Sequence, residues 1–75
     1  MPYPTREPNF EALRLELSKL RSARGWTYDE LAERSGVTRR TLIAMETGTT
    51  NGRLASWFRV AQAFDVELAE LIRSL

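Results

Sequence analysis

Two adjacent arginines, Arg39 and Arg40, have the clearest capacity for chemistry in this sequence. The planar guanidinium group of arginine donates two parallel hydrogen bonds to a phosphate or to the edge of a guanine. The pair stands at the start of a predicted helix, where the positive end of the helix dipole disfavours cations. An anionic partner would offset that cost, and two solvated surface arginines are the alternative. We therefore expect these two side chains to contact a polyanion.

The basic residues are distributed unevenly along the chain. The 75 residues carry a formal net charge of +1, and ten of the eleven basic side chains are arginine. Residues 38–59 hold four arginines and one glutamate, whereas residues 25–37 and 60–75 each carry an excess of acidic groups. A basic middle inside a nearly neutral chain favours one surface for an anionic partner.

The composition excludes several classes of function. The chain contains no His and no Cys, which excludes disulfides, zinc fingers, and thiol or imidazole catalysis. There is no glycine-rich phosphate loop and no paired set of catalytic carboxylates, so we expect no enzyme activity and no cofactor. No apolar run approaches the roughly 18 residues that span a bilayer, and no secretory signal precedes the first helix. We expect a cytoplasmic protein without a membrane partner.

Cap residues and apolar spacing predict five short helices and no strand. Three prolines among residues 1–8 predict a flexible arm, and residues 9–75 are predicted to form one helical domain. The first three helices are expected between Asn9 and Gly25, Thr27 and Gly36, and Thr38 and Gly48. The second and third meet at one tight corner, which is a helix-turn-helix in outline. A loop over residues 49–53 separates them from a fourth helix that ends near Phe64, and a short fifth helix opens at Val66.

Aromatic residues along the chain and apolar residues of the last helix carry two further expectations. Aromatic side chains at helical spacing are expected in the core; these are Trp26, Trp57, Phe58 and Phe64. The last helix has more apolar residues than its own core packing requires, which favours a dimer surface; these are Leu68, Leu71, Ile72 and Leu75.

The segment LAERSGVTRRTLIAMETG, residues 31–48, resembles the Cro/repressor-like (Xre) family of helix-turn-helix domains. The resemblance rests on the Leu31–Ala32 pair, a glycine four residues after that Ala, and Glu46 two residues before another glycine. It extends over about residues 13–71. The resemblance implies an all-α, lambda-repressor-like fold whose third helix enters the major groove of DNA.

The resemblance also implies which residues contact DNA. Residues at the start of the third helix would read base edges. Ile43 and Ala44 are expected to touch a thymine methyl group, with a place partly in the core as the alternative for Ile43. The start of the second helix and the loop after the third would contact phosphates, with ordinary cap and turn roles as the alternative. The implied DNA-binding set is Thr27, Tyr28, Thr38, Arg39, Arg40, Thr41, Ile43, Ala44, Thr47, Asn51 and Arg53. Arg21 and Glu46 would form a structural ion pair between the first and third helices.

These implications predict a sequence-specific regulator of transcription that binds double-stranded DNA, in our interpretation a repressor. Because one domain covers only a half-site, we expect a homodimer on a near-palindromic operator with half-sites about 34–36 Å apart. We expect such a protein in a bacterial or phage-infected cytoplasm, associated with the nucleoid. An antitoxin-like module that sequesters a protein partner, with secondary DNA binding, is the alternative that the acidic segment 60–75 permits.

Overall fold

The computed structural model describes residues 6–75, which form five α-helices and no strand. The helices are α1 (Phe10–Arg24), α2 (Tyr28–Ser35), α3 (Arg39–Thr47), α4 (Leu54–Ala63) and α5 (Leu68–Leu71). The all-α, five-helix prediction is confirmed, although α5 is only a single turn. The first five residues of the predicted arm lie outside the described part of the chain. None of the helices within residues 6–75 has an apolar stretch of the length that a bilayer requires.

Side-chain caps fix where the first three helices begin. The hydroxyl oxygen of Thr27 accepts the backbone N–H of Glu30 at 3.1 Å, and that of Thr38 accepts the N–H of Thr41 at 3.2 Å. The side chain of Asn9 caps α1 in the same way. Each such cap contributes about 1 kcal/mol. The α2–α3 corner is therefore specified by residues close to it in sequence.

The apolar core lies where α1 to α4 meet, and α5 closes one side of it. Leu42 and Met45 are fully buried, so one face of α3 is fixed against the core and the other stays at the surface. The buried apolar set is Leu13, Leu17, Leu31, Val37, Leu42, Met45, Trp57, Val60, Ala61, Phe64 and Leu71. Trp26 is half-buried and stacks on Phe64 with ring centroids 5.1 Å apart.

Two predictions about apolar side chains are wrong. Phe58, expected in the core, is 49% exposed, because α4 packs on the core with the side that carries Trp57, Val60 and Ala61. Leu54, one turn earlier, is 68% exposed. Leu71, expected at a dimer surface, is 1% exposed and belongs to the core. Among residues 6–75 the exposed large apolar side chains are thus Leu15 on α1, Leu54 and Phe58 on α4, and Leu75.

The loop between α3 and α4 is held by Trp57. Its indole Nε1 donates to the backbone carbonyl of Asn51 at 2.8 Å. Gly52, the next residue, has a φ of +80°, and a Cβ there would lie 2.6 Å from the same Nε1 and 3.2 Å from Cγ of Met45. Glycine is thus required at position 52 both by the backbone conformation and by the lack of space.

We expect Gly52→Ala to destabilise the fold more than Gly36→Ala. Gly36 has a similar φ of +77°, but nothing lies within 4 Å of the added Cβ, so this variant measures backbone strain alone. That strain costs about 1–2 kcal/mol, and displacement of Trp57 adds about 1–3 kcal/mol at position 52. Urea unfolding of both variants measures the difference. Equal losses would contradict the tight packing of Gly52 against Trp57.

Candidate nucleic-acid interface

The surface side of α3 begins with the two arginines predicted to contact DNA. Arg39 and Arg40 are both exposed in its first turn. Thr41, Ile43 and Ala44 are half-buried on the same helix. Polar and cationic groups therefore come first along this face and small or apolar groups follow, which suits contact with base edges and thymine methyl groups.

Arg39 and Arg40 have different surroundings. Nε of Arg39 lies 3.2 Å from Oδ1 of Asp29, which is in the first turn of α2. Arg40 takes part in no ion pair or side-chain hydrogen bond within residues 6–75. It lines a surface groove together with the start of α4; the lining residues are Arg40, Thr41, Ala44, Thr50, Gly52, Arg53 and Ser56. The structure thus brings Arg40 and Arg53 to the same groove.

The threonines of the predicted site are first of all structural. The hydroxyl of Thr38 accepts the N–H of Thr41 and donates to the Thr41 hydroxyl at 2.9 Å, so its single proton is already used. Within residues 6–75 the Thr41 hydroxyl donates no hydrogen bond, so its proton is available to an external acceptor. The hydroxyl of Thr47 donates to the carbonyl of Ile43 at 2.7 Å. Thr27 is exposed at the start of α2, where it caps the helix.

Residues predicted to contact phosphate lie at the start of α4. Asn51 is exposed, and its backbone carbonyl is held by the tryptophan indole described above. Arg53 is exposed at the N-cap position of α4, and its side chain makes no cap hydrogen bond. The first N–H groups of α4 are therefore without a side-chain cap, and an arginine stands beside them.

Tyr28 departs from its predicted role. Its hydroxyl donates to Oε2 of Glu46. A phenol has one proton, and a phosphate oxygen can only accept, so this arrangement leaves the Tyr28 hydroxyl no proton for a phosphate. The expected phosphate contact of Tyr28 is replaced by a contact that positions Glu46.

Arg21 and Glu46 form a two-point ion pair between α1 and α3. Nε and Nη2 of Arg21 each lie 3.1 Å from a carboxylate oxygen of Glu46. Nη1 donates to the carbonyl of Trp26 at 3.0 Å, and the guanidinium carbon lies 4.2 Å from the ring centroid of Tyr28. The side chains of Arg21 and Glu46 are 21% and 8% exposed. This network joins α1, α2 and the last turn of α3.

Two residues that act on α3 are not predicted from the sequence. Nη1 of Arg14 donates to the carbonyl of Thr47 at 3.4 Å, which places a cation at the negative end of a helix with no basic residue in its last turn. Asp29 is the second, since its ion pair with Arg39 crosses the α2–α3 corner. The absence of a basic residue in the last turn of α3 was the sequence signal that a cation from elsewhere binds there, as Arg14 does. The Asp29–Arg39 pair gave no such signal, because helical spacing relates only residues of the same helix.

Comparisons with known proteins agree with this geometry. A family model described as "Helix-turn-helix" matches residues 17–71. An uncharacterized HTH-type transcriptional regulator of Methanothermobacter thermautotrophicus is 41% identical over 58 residues, covering 77% of this chain and 84% of that protein. A protein of the same description from Archaeoglobus fulgidus is 30% identical over 59 residues, covering 79% and 84%. The crystal structure of the hypothetical transcription factor NHTF from Neisseria has a TM-score of 0.76 and 25% identity, covering 95% and 86%.

The chain belongs to the Xre/Cro-like helix-turn-helix family. The family is a class of DNA-binding transcriptional regulators and not of enzymes. The resemblance inferred from residues 31–48 is thereby confirmed.

We expect the Arg21–Glu46 pair to be coupled more strongly than the exposed Asp29–Arg39 pair. A double-mutant cycle with alanine at positions 21 and 46 should give a coupling energy of about 2 kcal/mol, because the carboxylate is nearly buried. The same cycle at positions 29 and 39 should give less than about 1 kcal/mol. Chemical denaturation measures both cycles. Similar coupling energies would show that the Arg21–Glu46 pair does not hold α3 in place.

Proposed function

We propose that this protein is a sequence-specific repressor of transcription that reads the major groove of double-stranded DNA with α3. The observation that carries the proposal is the pair Arg39 and Arg40, exposed in the first turn of a helix whose other face is buried. Their position costs helix stability, since cations oppose the helix dipole there. A polyanion bound at this end would offset that cost, because it interacts favourably with both the arginines and the helix dipole.

Groups on both sides of α3 support phosphate contacts. On one side, the start of α2 with Thr27 offers backbone N–H groups to an anion. On the other, Asn51 and Arg53 lie in the loop that leads into α4, whereas the hydroxyl proton of Thr47 is already donated to the carbonyl of Ile43. In this proposal these contacts position the domain, and Arg39, Arg40, Thr41, Ile43 and Ala44 read the bases.

Repression is the simpler regulatory outcome for such a domain. A protein bound over a promoter excludes polymerase by occupancy alone, whereas activation needs an additional contact with the transcription machinery. We place the protein in the cytoplasm, with the nucleoid DNA that it would regulate.

We propose that the protein binds a near-palindromic operator as a homodimer through Leu54 and Phe58. Both are exposed on α4, and Leu54 directly follows the proposed phosphate contact Arg53. In this proposal a second copy seated at this edge brings a second α3 to the same duplex. The two half-sites would then be about 34–36 Å apart, one turn of DNA.

A second candidate function, that of an antitoxin-like protein with secondary DNA binding, has one supporting observation. Phe58 lies beside a groove between α4 and α5 that is also lined by Asp65, Glu67 and Glu70. An apolar side chain beside three carboxylates suits a basic protein partner. Recovery of one stoichiometric protein that Phe58→Glu releases and Arg40→Ala retains would favour this function.

Selection of bound duplexes from a random library should yield a sequence with dyad symmetry and a guanine in each half-site. Arg39→Ala or Arg40→Ala should each weaken discrimination at one base pair by about 1–3 kcal/mol. Arg53→Ala should weaken binding to all duplexes equally. It should also reduce the slope of log affinity against log salt concentration by about one, the loss of one phosphate contact. Binding titrations at several salt concentrations measure both effects. Failure to enrich any sequence at low salt would contradict the proposed function.

Phe58→Glu should convert the protein from dimer to monomer and weaken binding to the full operator. Leu15→Glu is the matched control, because Leu15 is an apolar residue 54% exposed on a different helix, α1. Sedimentation velocity with and without operator DNA measures the assembly state. A wild-type chain that stays monomeric on DNA, or an equal effect of the control, would contradict this dimer surface.

A further inference from the structure

Asp29 stands beside one of the proposed base-reading arginines. Its Oδ1 lies 3.2 Å from Nε of Arg39, across the corner between α2 and α3. The two side chains are 81% and 60% exposed, so neither is held there by burial in the core. An exposed pair of this kind contributes little to folding stability. Its consequence must therefore be sought in the position it gives to the arginine.

The contact uses a particular part of the guanidinium group. The closest approach is through Nε, next to the aliphatic stem of Arg39. The end-on contact with guanine uses the two terminal nitrogens, Nη1 and Nη2, which donate to O6 and N7 of the base. Among residues 6–75, no side-chain hydrogen bond engages these terminal nitrogens of Arg39. Asp29 thus pairs with the guanidinium at Nε and leaves its terminal, base-reading nitrogens free.

We propose that Asp29 is a specificity-determining residue that positions Arg39 for one guanine of the operator. An unrestrained arginine reaches phosphates as readily as bases, because its long side chain samples many rotamers. An ion pair at Nε favours the rotamers that keep the guanidinium beside the start of α2. This inference rests on the proposed function, since it assumes that α3 reads bases.

The charge of Asp29 supports a role in specificity over one in affinity. A carboxylate next to the DNA-facing arginines repels the phosphates of every duplex, whatever its sequence. Such a group lowers non-specific binding, and its support of Arg39 raises binding at one base pair only. Both effects increase the difference in binding free energy between the correct and the incorrect site.

Asp29 also stabilises α2, and a test must separate this effect from the positioning of Arg39. It lies in the first turn of α2, where an acidic side chain favours the helix dipole. Glu30 lies in the same turn, is also exposed, and forms no ion pair among residues 6–75. Glu30→Gln therefore matches Asp29→Asn in lost charge and in helix position, but it leaves Arg39 restrained.

The test measures base discrimination by the full chain on the selected operator. Arg39→Ala first identifies the base pair that Arg39 reads, as the ratio of affinities for the operator and for duplexes substituted at that position. Asp29→Asn should lower this ratio by about two- to five-fold, the range of an exposed ion pair. Discrimination at other positions and the melting temperature should stay close to the wild type. Adding Asp29→Asn to Arg39→Ala should change discrimination no further.

The control variant and the wild type separate the possible failures. Glu30→Gln should strengthen binding to random duplexes to a similar extent as Asp29→Asn, with discrimination unchanged. If both variants behave alike at the Arg39 position, or if Arg39→Ala alters no base preference, the positioning role of Asp29 is overturned. If the wild-type chain itself enriches no sequence, it is the proposed function that fails.

Discussion

The carboxylate of Glu46 is the contact on which the orientation of α3 depends. A helix of nine residues has little stability of its own, so its direction is set by what it packs against. Leu42 and Met45 bury one face, but apolar contacts are not directional. Glu46 adds direction, because it binds Arg21 at two points and accepts the hydroxyl proton of Tyr28. The contacts of Glu46 in the last turn therefore set the direction of the N-terminal end of α3, which carries the two arginines.

The charges of α3 are reversed with respect to its own dipole. It begins with two cations and carries a glutamate in its last turn, whereas an isolated helix favours the opposite order. Neighbouring helices correct most of this conflict, through Arg14 and Arg21 at one end and Asp29 at the other. Arg40 alone is left without such a partner among the residues described. A conflict between local preference and structure is typical of functional sites.

Contacts between residues close in sequence were predictable, and contacts between helices mostly were not. Cap residues and glycines gave the bounds of α2 and α3, because each cap hydrogen bond joins residues three apart. The exposure of Phe58 and the burial of Leu71 depend on how α4 and α5 cross their neighbours. Periodicity along one helix carries no information about that crossing. The Tyr28 hydroxyl escaped prediction for the same reason, since its acceptor lies 18 residues away in another helix.

For Arg39 and Arg40 the sequence predicts the chemical class of the partner, but not the different surroundings of the two side chains. Their residue type and their place at the start of a helix are enough to indicate a polyanionic partner. The two side chains nevertheless differ, because successive residues of a helix point about 100° apart. One therefore faces the start of α2 and its carboxylate, and the other faces the groove beside α4. Since neighbours outside α3 set this difference, two identical adjacent residues need not perform the same task on DNA.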